Sequence, residues 1–140
     1  MVRSIRAVCV GALAACLGAC AEPDRTHCTA GFGVPVSLFT LYFGKAIPGR
    51  GDVTDNEWQS FLDDTIAANL PNGYTVLDAN GGWMNPITRK TVKEATKVVV
   101  VALPEVADSR ASIDRVRKSY QVRFRQQLVG VTVEHACGAF

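Results

Sequence analysis

Histidine is scarce in this sequence. Among 140 residues only His27 and His135 carry an imidazole, and both lie at the edges of the region that reads as folded. A Ser-His-Asp or Cys-His catalytic group needs a histidine held on a rigid scaffold beside its nucleophile, so hydrolysis by that route is not expected. No glycine loop of the phosphate-wrapping kind occurs, because Gly44-Lys45 lacks its spacing. Internal repeats and low-complexity segments are missing too. The uncharged run over residues 7–19 is 13 residues long, short of the roughly 20 needed to span a bilayer. An excess of charge is also lacking. Once Arg3 and Arg6 are set aside with the leader, 13 basic side chains face 13 acidic ones. That balance provides no global field to steer a polyanion, and nucleic acid is not an expected partner.

What is present begins with an address. Two arginines precede the apolar run, which ends in Leu17-Gly18-Ala19-Cys20. This has the form of a signal peptide, and its end resembles the lipobox of bacterial lipoproteins. Residues 1–19 are therefore expected to be removed and Cys20 to be acylated, although Leu13-Ala14-Ala15-Cys16 matches as well. Ala21 after the cysteine favours the outer membrane under the sorting rule this resemblance implies. Two or three acyl chains hold a protein firmly, at about 0.8 kcal/mol per buried methylene. Residues 20–35 read as attachment site and tether, and residues 36–140 as one domain.

Within that domain, residues 36–43 alternate as a strand, with Phe39, Leu41 and Phe43 on one face and Leu38, Thr40 and Tyr42 on the other. Thr54-Asp55-Asn56-Glu57 has the form of a capping box. Trp58, Phe61, Leu62, Ile66 and Leu70 then make the apolar stripe of a helix, which Pro71-Asn72-Gly73 ends. Residues 74–79 read as a second strand, Asn80-Gly81-Gly82 as a turn, and residues 93–103 as a third strand. Asp108 or Ser109 is the expected cap of a second helix striped by Ile113, Val116, Tyr120, Phe124 and Leu128. Residues 128–134 form the last strand. The order β-α-β-β-α-β predicts an α+β, ferredoxin-like fold: a four-stranded antiparallel sheet with two helices on one face. Its first and third strands would be central, and both are apolar on both sides. The side without helices must then meet something dry, either a second copy in a homodimer or a small-molecule cavity.

The chain also resembles the bacterial lipoprotein family known as domain of unknown function 3574. The resemblance rests on Leu41-Tyr42-Phe43-Gly44, Trp58 with Phe61, Leu70-Pro71-Asn72-Gly73 running into Thr75, Gly82-Trp83, and Tyr120, Phe124, Gln126 and Val129. It implies a secreted or lipid-anchored domain and supplies no catalytic residues.

Candidate residues for the exposed face are Leu38, Tyr42, Trp83, Asp78 and Lys97, with Glu94 nearby. Asp78 and Lys97 fit a cross-strand ion pair as well as a proton-transfer pair. Arg110, Arg115, Arg117, Lys118, Arg123 and Arg125 fit a solvated helix side, with Asp114 and Lys118 as an i,i+4 pair. Cys28 and Cys137 are the only thiols left after cleavage before Cys20 and acylation there, so a disulfide between them is expected. The rival use is a zinc site with His27 and His135. No metal and no cofactor is otherwise expected. The functional expectation is a lipid-anchored, non-enzymatic binding module of the cell envelope. The alternative is a small-molecule enzyme resembling the dimeric α+β barrel monooxygenases.

Overall fold

The computed structural model describes Cys28, residues 33–104 and residues 106–140. The expected leader, Cys20 and His27 lie outside the described residues. Four long strands form one antiparallel sheet: β1 (Val34–Gly44), β4 (Thr75–Met84), β5 (Thr91–Pro104) and β6 (Gly130–Gly138), in the order β4-β5-β1-β6. A small hairpin of β2 (Ala46–Ile47) and β3 (Gly51–Asp52) follows β1. The first helical stretch runs through α1 (Asp55–Phe61), a π-helical turn (Leu62–Ile66) and α2 (Ala67–Asn69), and the second is α3 (Ala107–Phe124). The α+β class and the four-stranded antiparallel sheet with two helical stretches are as expected.

The first helix begins where the capping box placed it. The Thr54 hydroxyl accepts from the Glu57 amide at 3.3 Å, and the Thr54 amide donates to the Glu57 carboxylate at 2.9 Å. Two amides that lack intrahelical partners are thereby satisfied. The stripe Trp58, Leu62, Ile66, Leu70 repeats every four residues, whereas an α-helix turns every 3.6. A π turn absorbs the mismatch: the Ala67 amide donates to Leu62, five residues back, and Leu62, Ile66 and Leu70 all stay buried.

Both helical stretches cover the same side of the sheet. Phe39, Leu41 and Phe43 of β1 and Val99, Val101 and Leu103 of β5 share one core with Trp58, Phe61, Ile113, Val116, Tyr120 and Phe124. At its centre Phe43 meets Trp58, Phe61 and Tyr120 edge-on, with centroids 5.4, 6.0 and 4.8 Å apart. Each such pair contributes about 0.5–1.5 kcal/mol beyond the area it buries. The Tyr120 hydroxyl is not stranded there, since it donates to the Gly44 carbonyl at 2.9 Å. Burial raises its acid pKa, and the nearby Glu94 and Glu57 carboxylates add to the shift.

Several boundaries differ from the sequence reading. Asn80-Gly81-Gly82 is not a turn but the interior of β4, which continues to Met84. The reversal comes later, where the Asn85 side chain accepts from the amides of Ile87 and Thr88 at 2.9 and 3.0 Å. Asx chemistry outcompeted the glycines as the turn former. At α3, Val106 takes the cap position with no side-chain bond, while the Ser109 hydroxyl reaches back to the Pro104 carbonyl at 2.6 Å. Leu128 leaves the helix stripe: Arg125 ends α3 in the left-handed conformation, and Leu128 is 66% exposed. Asp114 pairs with Arg117 at 3.0 Å, one residue short of the expected Lys118.

Candidate active site at one end of the helix-free sheet face

In an antiparallel pair, residues directly opposite point to the same side of the sheet. The register sets Tyr42 against Val98, Gly44 against Thr96, Gly81 against Glu94, Trp83 against Val92, and Tyr42 against Gly130. All of these therefore lie on the side away from the helices. At this end of that face is an open cleft of about 590 Å³, within the usual range for small-molecule sites. Tyr42, Trp83, Glu94 and Thr96 line it from the sheet, Ile47 and Pro48 from the small hairpin, and Arg125 to Leu128 from the loop after α3.

Glycines make the cleft possible. A Cβ at Gly44 would come within 2.7–2.9 Å of the Glu94 carboxyl group, and one at Gly81 within 2.8 Å of the Thr96 hydroxyl oxygen. At Gly130 it would meet the Tyr42 ring at 3.3 Å. Missing side chains on three strands thus leave a floor across which Glu94, Thr96 and Tyr42 lie. The Gln126 amide closes the corner, donating to the Ala46 carbonyl at 2.7 Å.

Glu94 stands out electrostatically. Among the described residues its carboxylate has no hydrogen-bond or ion-pair partner; three nearby cations are engaged elsewhere, while Arg125 lines the same cleft without an acidic partner. Lys45 binds Asp55 at 3.1 Å, Arg50 binds Glu57 at 2.8 Å, and Arg123 binds Asp64 at 2.8 Å. Glu57, held by two bonds from Arg50 and two more from Thr54, is driven down to about 2. The Glu94 carboxylate, half-buried in the cleft, is placed where a bound molecule would meet it. Among the described residues, no group of three His, Cys, Asp or Glu side chains is placed to hold a metal ion.

The candidate residues divide. Tyr42 and Trp83 line the cleft, 42% and 44% exposed. Leu38 is on the same face but lines a second cavity, of about 500 Å³, at the opposite end beside Val36 and Phe140. Asp78 and Lys97 do not belong to this face. They are directly opposed on β4 and β5 and bonded to one another, with parity that sets them on the helix side. The signal was available: residues 78 and 83, like 94 and 97, are an odd number of positions apart and so point to opposite faces of any regular strand. The same arithmetic separates Glu94 and Trp83 from the Asp78–Lys97 pair. Three of the basic side chains of α3 have structural partners. Arg115 holds Asn69, Arg117 holds the Val129 carbonyl, and Arg123 lies over Phe61 and Phe124. Cys28 and Cys137 are joined as a disulfide beside the paired starts of β1 and ends of β6, with Cα atoms 5.6 Å apart.

Two solved structures of a phage SAM lyase share this fold. The lyase in complex with S-methyl-5'-thioadenosine is 14% identical, with a TM-score of 0.55 over 74% of this chain and 90% of the lyase. Its apo form gives 14% and 0.54 over 81% and 96%. CutA from Synechococcus elongatus also matches, at 10% identity and a TM-score of 0.49 over 76% of this chain and 80% of its own. No curated protein matches. The likeness to a lyase corrects the expectation of a non-enzymatic module, since chains with this architecture include a small-molecule enzyme. The profile of the family described as "Protein of unknown function (DUF3574)" matches residues 39–140, and the chain belongs to that family.

Proposed function

We propose that this protein is a small-molecule enzyme on a ferredoxin-like scaffold, with the cleft as its active site and Glu94 as the group that moves a proton. The carrying observation is the Glu94 carboxylate, laid across Gly44 without a partner among the described residues, in a cavity of ligand size. The interleaved strand order β4-β5-β1-β6 supports the scaffold. The lyase that binds S-methyl-5'-thioadenosine supplies a precedent for small-molecule chemistry on such a sheet. Tyr42 and Trp83 would hold the apolar part of the substrate, and the loop after α3 would limit access of water. The test is incubation of the purified chain with a metabolite mixture that includes SAM, read by mass spectrometry. Depletion of one compound is expected, and it should stop in Glu94→Gln protein that melts at the wild-type temperature. No depletion, or equal depletion by the variant, would overturn the reading.

We also propose that the chain is anchored in the outer membrane, facing the periplasm, through Cys20. Support comes from the leader's two arginines, its apolar run and Leu17-Gly18-Ala19-Cys20. Cys20→Ser should abolish labelling by a palmitate analogue, and persistent labelling would reject Cys20. A second copy packed on the helix-free face is the proposed protein partner, supported by Leu77, which stays 52% exposed there. Sedimentation of the unacylated chain should show a concentration-dependent dimer, and a monomer at every concentration would dismiss it.

A further inference from the structure

We infer that the cleft selects an organic cation, with the positive centre against Glu94 and its alkyl substituents against the rings of Tyr42 and Trp83. The inference rests on the cleft being the substrate site and names the class of molecule it takes.

Three observations carry it. First, the carboxylate is uncompensated among the described residues. Lys45, Arg50, Arg117 and Arg123 each have an acidic partner between 2.8 and 3.1 Å away, and Lys97 is bound to Asp78 on the other side of the sheet. Arg125 reaches the same cleft from the loop after α3, yet no ion pair joins it to Glu94. An unpaired carboxylate with water partly removed favours a positive charge placed beside it.

Second, the space around the carboxylate is shaped for a bulky head rather than for a protein side chain. Glu94 stands directly opposite Gly81, and Gly44 lies on its other side, so neither neighbouring strand supplies a side chain next to it. A lysine or arginine on either strand would have neutralised Glu94 from within. Glycine leaves that position to a ligand.

Third, the walls are aromatic. Trp83 lies one pleat beyond Gly81 on β4, and Tyr42 lies one pleat before Gly44 on β1. Both remain partly exposed within the cleft. Aromatic faces attract alkylated cations, and a carboxylate flanked by two rings prefers them to neutral molecules of the same shape.

The experiment compares choline with 3,3-dimethylbutan-1-ol, its uncharged counterpart of the same shape, by titration into the full chain while following the Trp83 indole N–H resonance. Choline is expected to bind about ten-fold more tightly, and Glu94→Gln should cut that preference several-fold, leaving only the share the rings supply. Equal binding to the wild-type chain would overturn the inference, and that comparison needs no variant to fold. A preference for choline that is undiminished in a folded Glu94→Gln protein would overturn it too. The enzymatic reading fails separately. Cation preference without turnover of any metabolite would leave this inference standing and remove that one, while turnover of a neutral compound without cation preference would do the reverse.

Discussion

Along β1, Phe39, Leu41 and Phe43 are no more than 6% exposed, whereas Tyr42, between two of them, is 42% exposed. The same alternation divides the whole sheet into a side sealed by helices and a side on which Leu77 and Trp83 remain open. The closed side is built by addition, as large side chains from strands and helices interlock to interior density. The open side is built by omission, because glycines at 44, 81 and 130 remove the side chains that would fill it. Stability resides in the first and the proposed recognition in the second, and substitutions separate the two.

The largest expected loss belongs to neither side. Cys28 and Cys137 are 109 residues apart, and opening a loop of that size returns about 4.7 kcal/mol of chain entropy to the unfolded state. Urea unfolding with and without reductant should show a loss of that order, and identical midpoints would mean that the bond does not form. Next comes the pair of tryptophans. Trp58→Ala should destabilise by about 3–5 kcal/mol, as for a buried aromatic. Trp83→Ala should cost under about 1 kcal/mol, as an exposed site does, while weakening ligand binding. If the two costs were reversed, the division between the sides would be wrong.

Smaller still is the effect of Gly44→Ala on folding. The new methyl displaces a flexible Glu94 side chain rather than backbone, so the change in stability should be about 1 kcal/mol or less, with turnover and cation binding lost. Unchanged binding would show that Glu94 does not act from its position over Gly44. The smallest effect is acid sensitivity. Glu57 titrates at about 2 in the folded chain, chiefly through its bonds with Arg50, and Asp55 and Asp64 are lowered by Lys45 and by Thr65 with Arg123. Depressed carboxylates stabilise the fold above their unfolded values. Their contribution is lost as pH falls from about 4.5 towards 2, with only a shallow slope because all three groups are exposed. Arg50→Ala should flatten that slope in acid melting curves.

Local signals were legible where one stretch of chain carries them. The capping box at Thr54 and Glu57, the stripe from Trp58 to Leu70 and the alternation in residues 36–43 each rest on neighbours within a turn or two. Gly81-Gly82 misled because two glycines look like a turn in isolation, whereas here they extend β4 and clear the cleft floor. Asp78 and Lys97 lie near Trp83 and Glu94 along the chain but on the opposite face of the sheet. Glu94 shares a face with Trp83 and not with Lys97, a relation that needs the β4–β5 register as well as strand parity.

The sequence by itself determined the periodicities: which residues of a strand share a side, where the first helix begins, and which stripes must be buried. These follow from backbone geometry and the aversion of apolar surface to water, both of which act over a few residues. Only the tertiary structure decided that Glu94 lies across Gly44, with Trp83 on one neighbouring strand and Tyr42 on another. Cross-strand register is set by the packing of distant segments against a common core, so residues 42, 83 and 94 meet only once the whole sheet has formed.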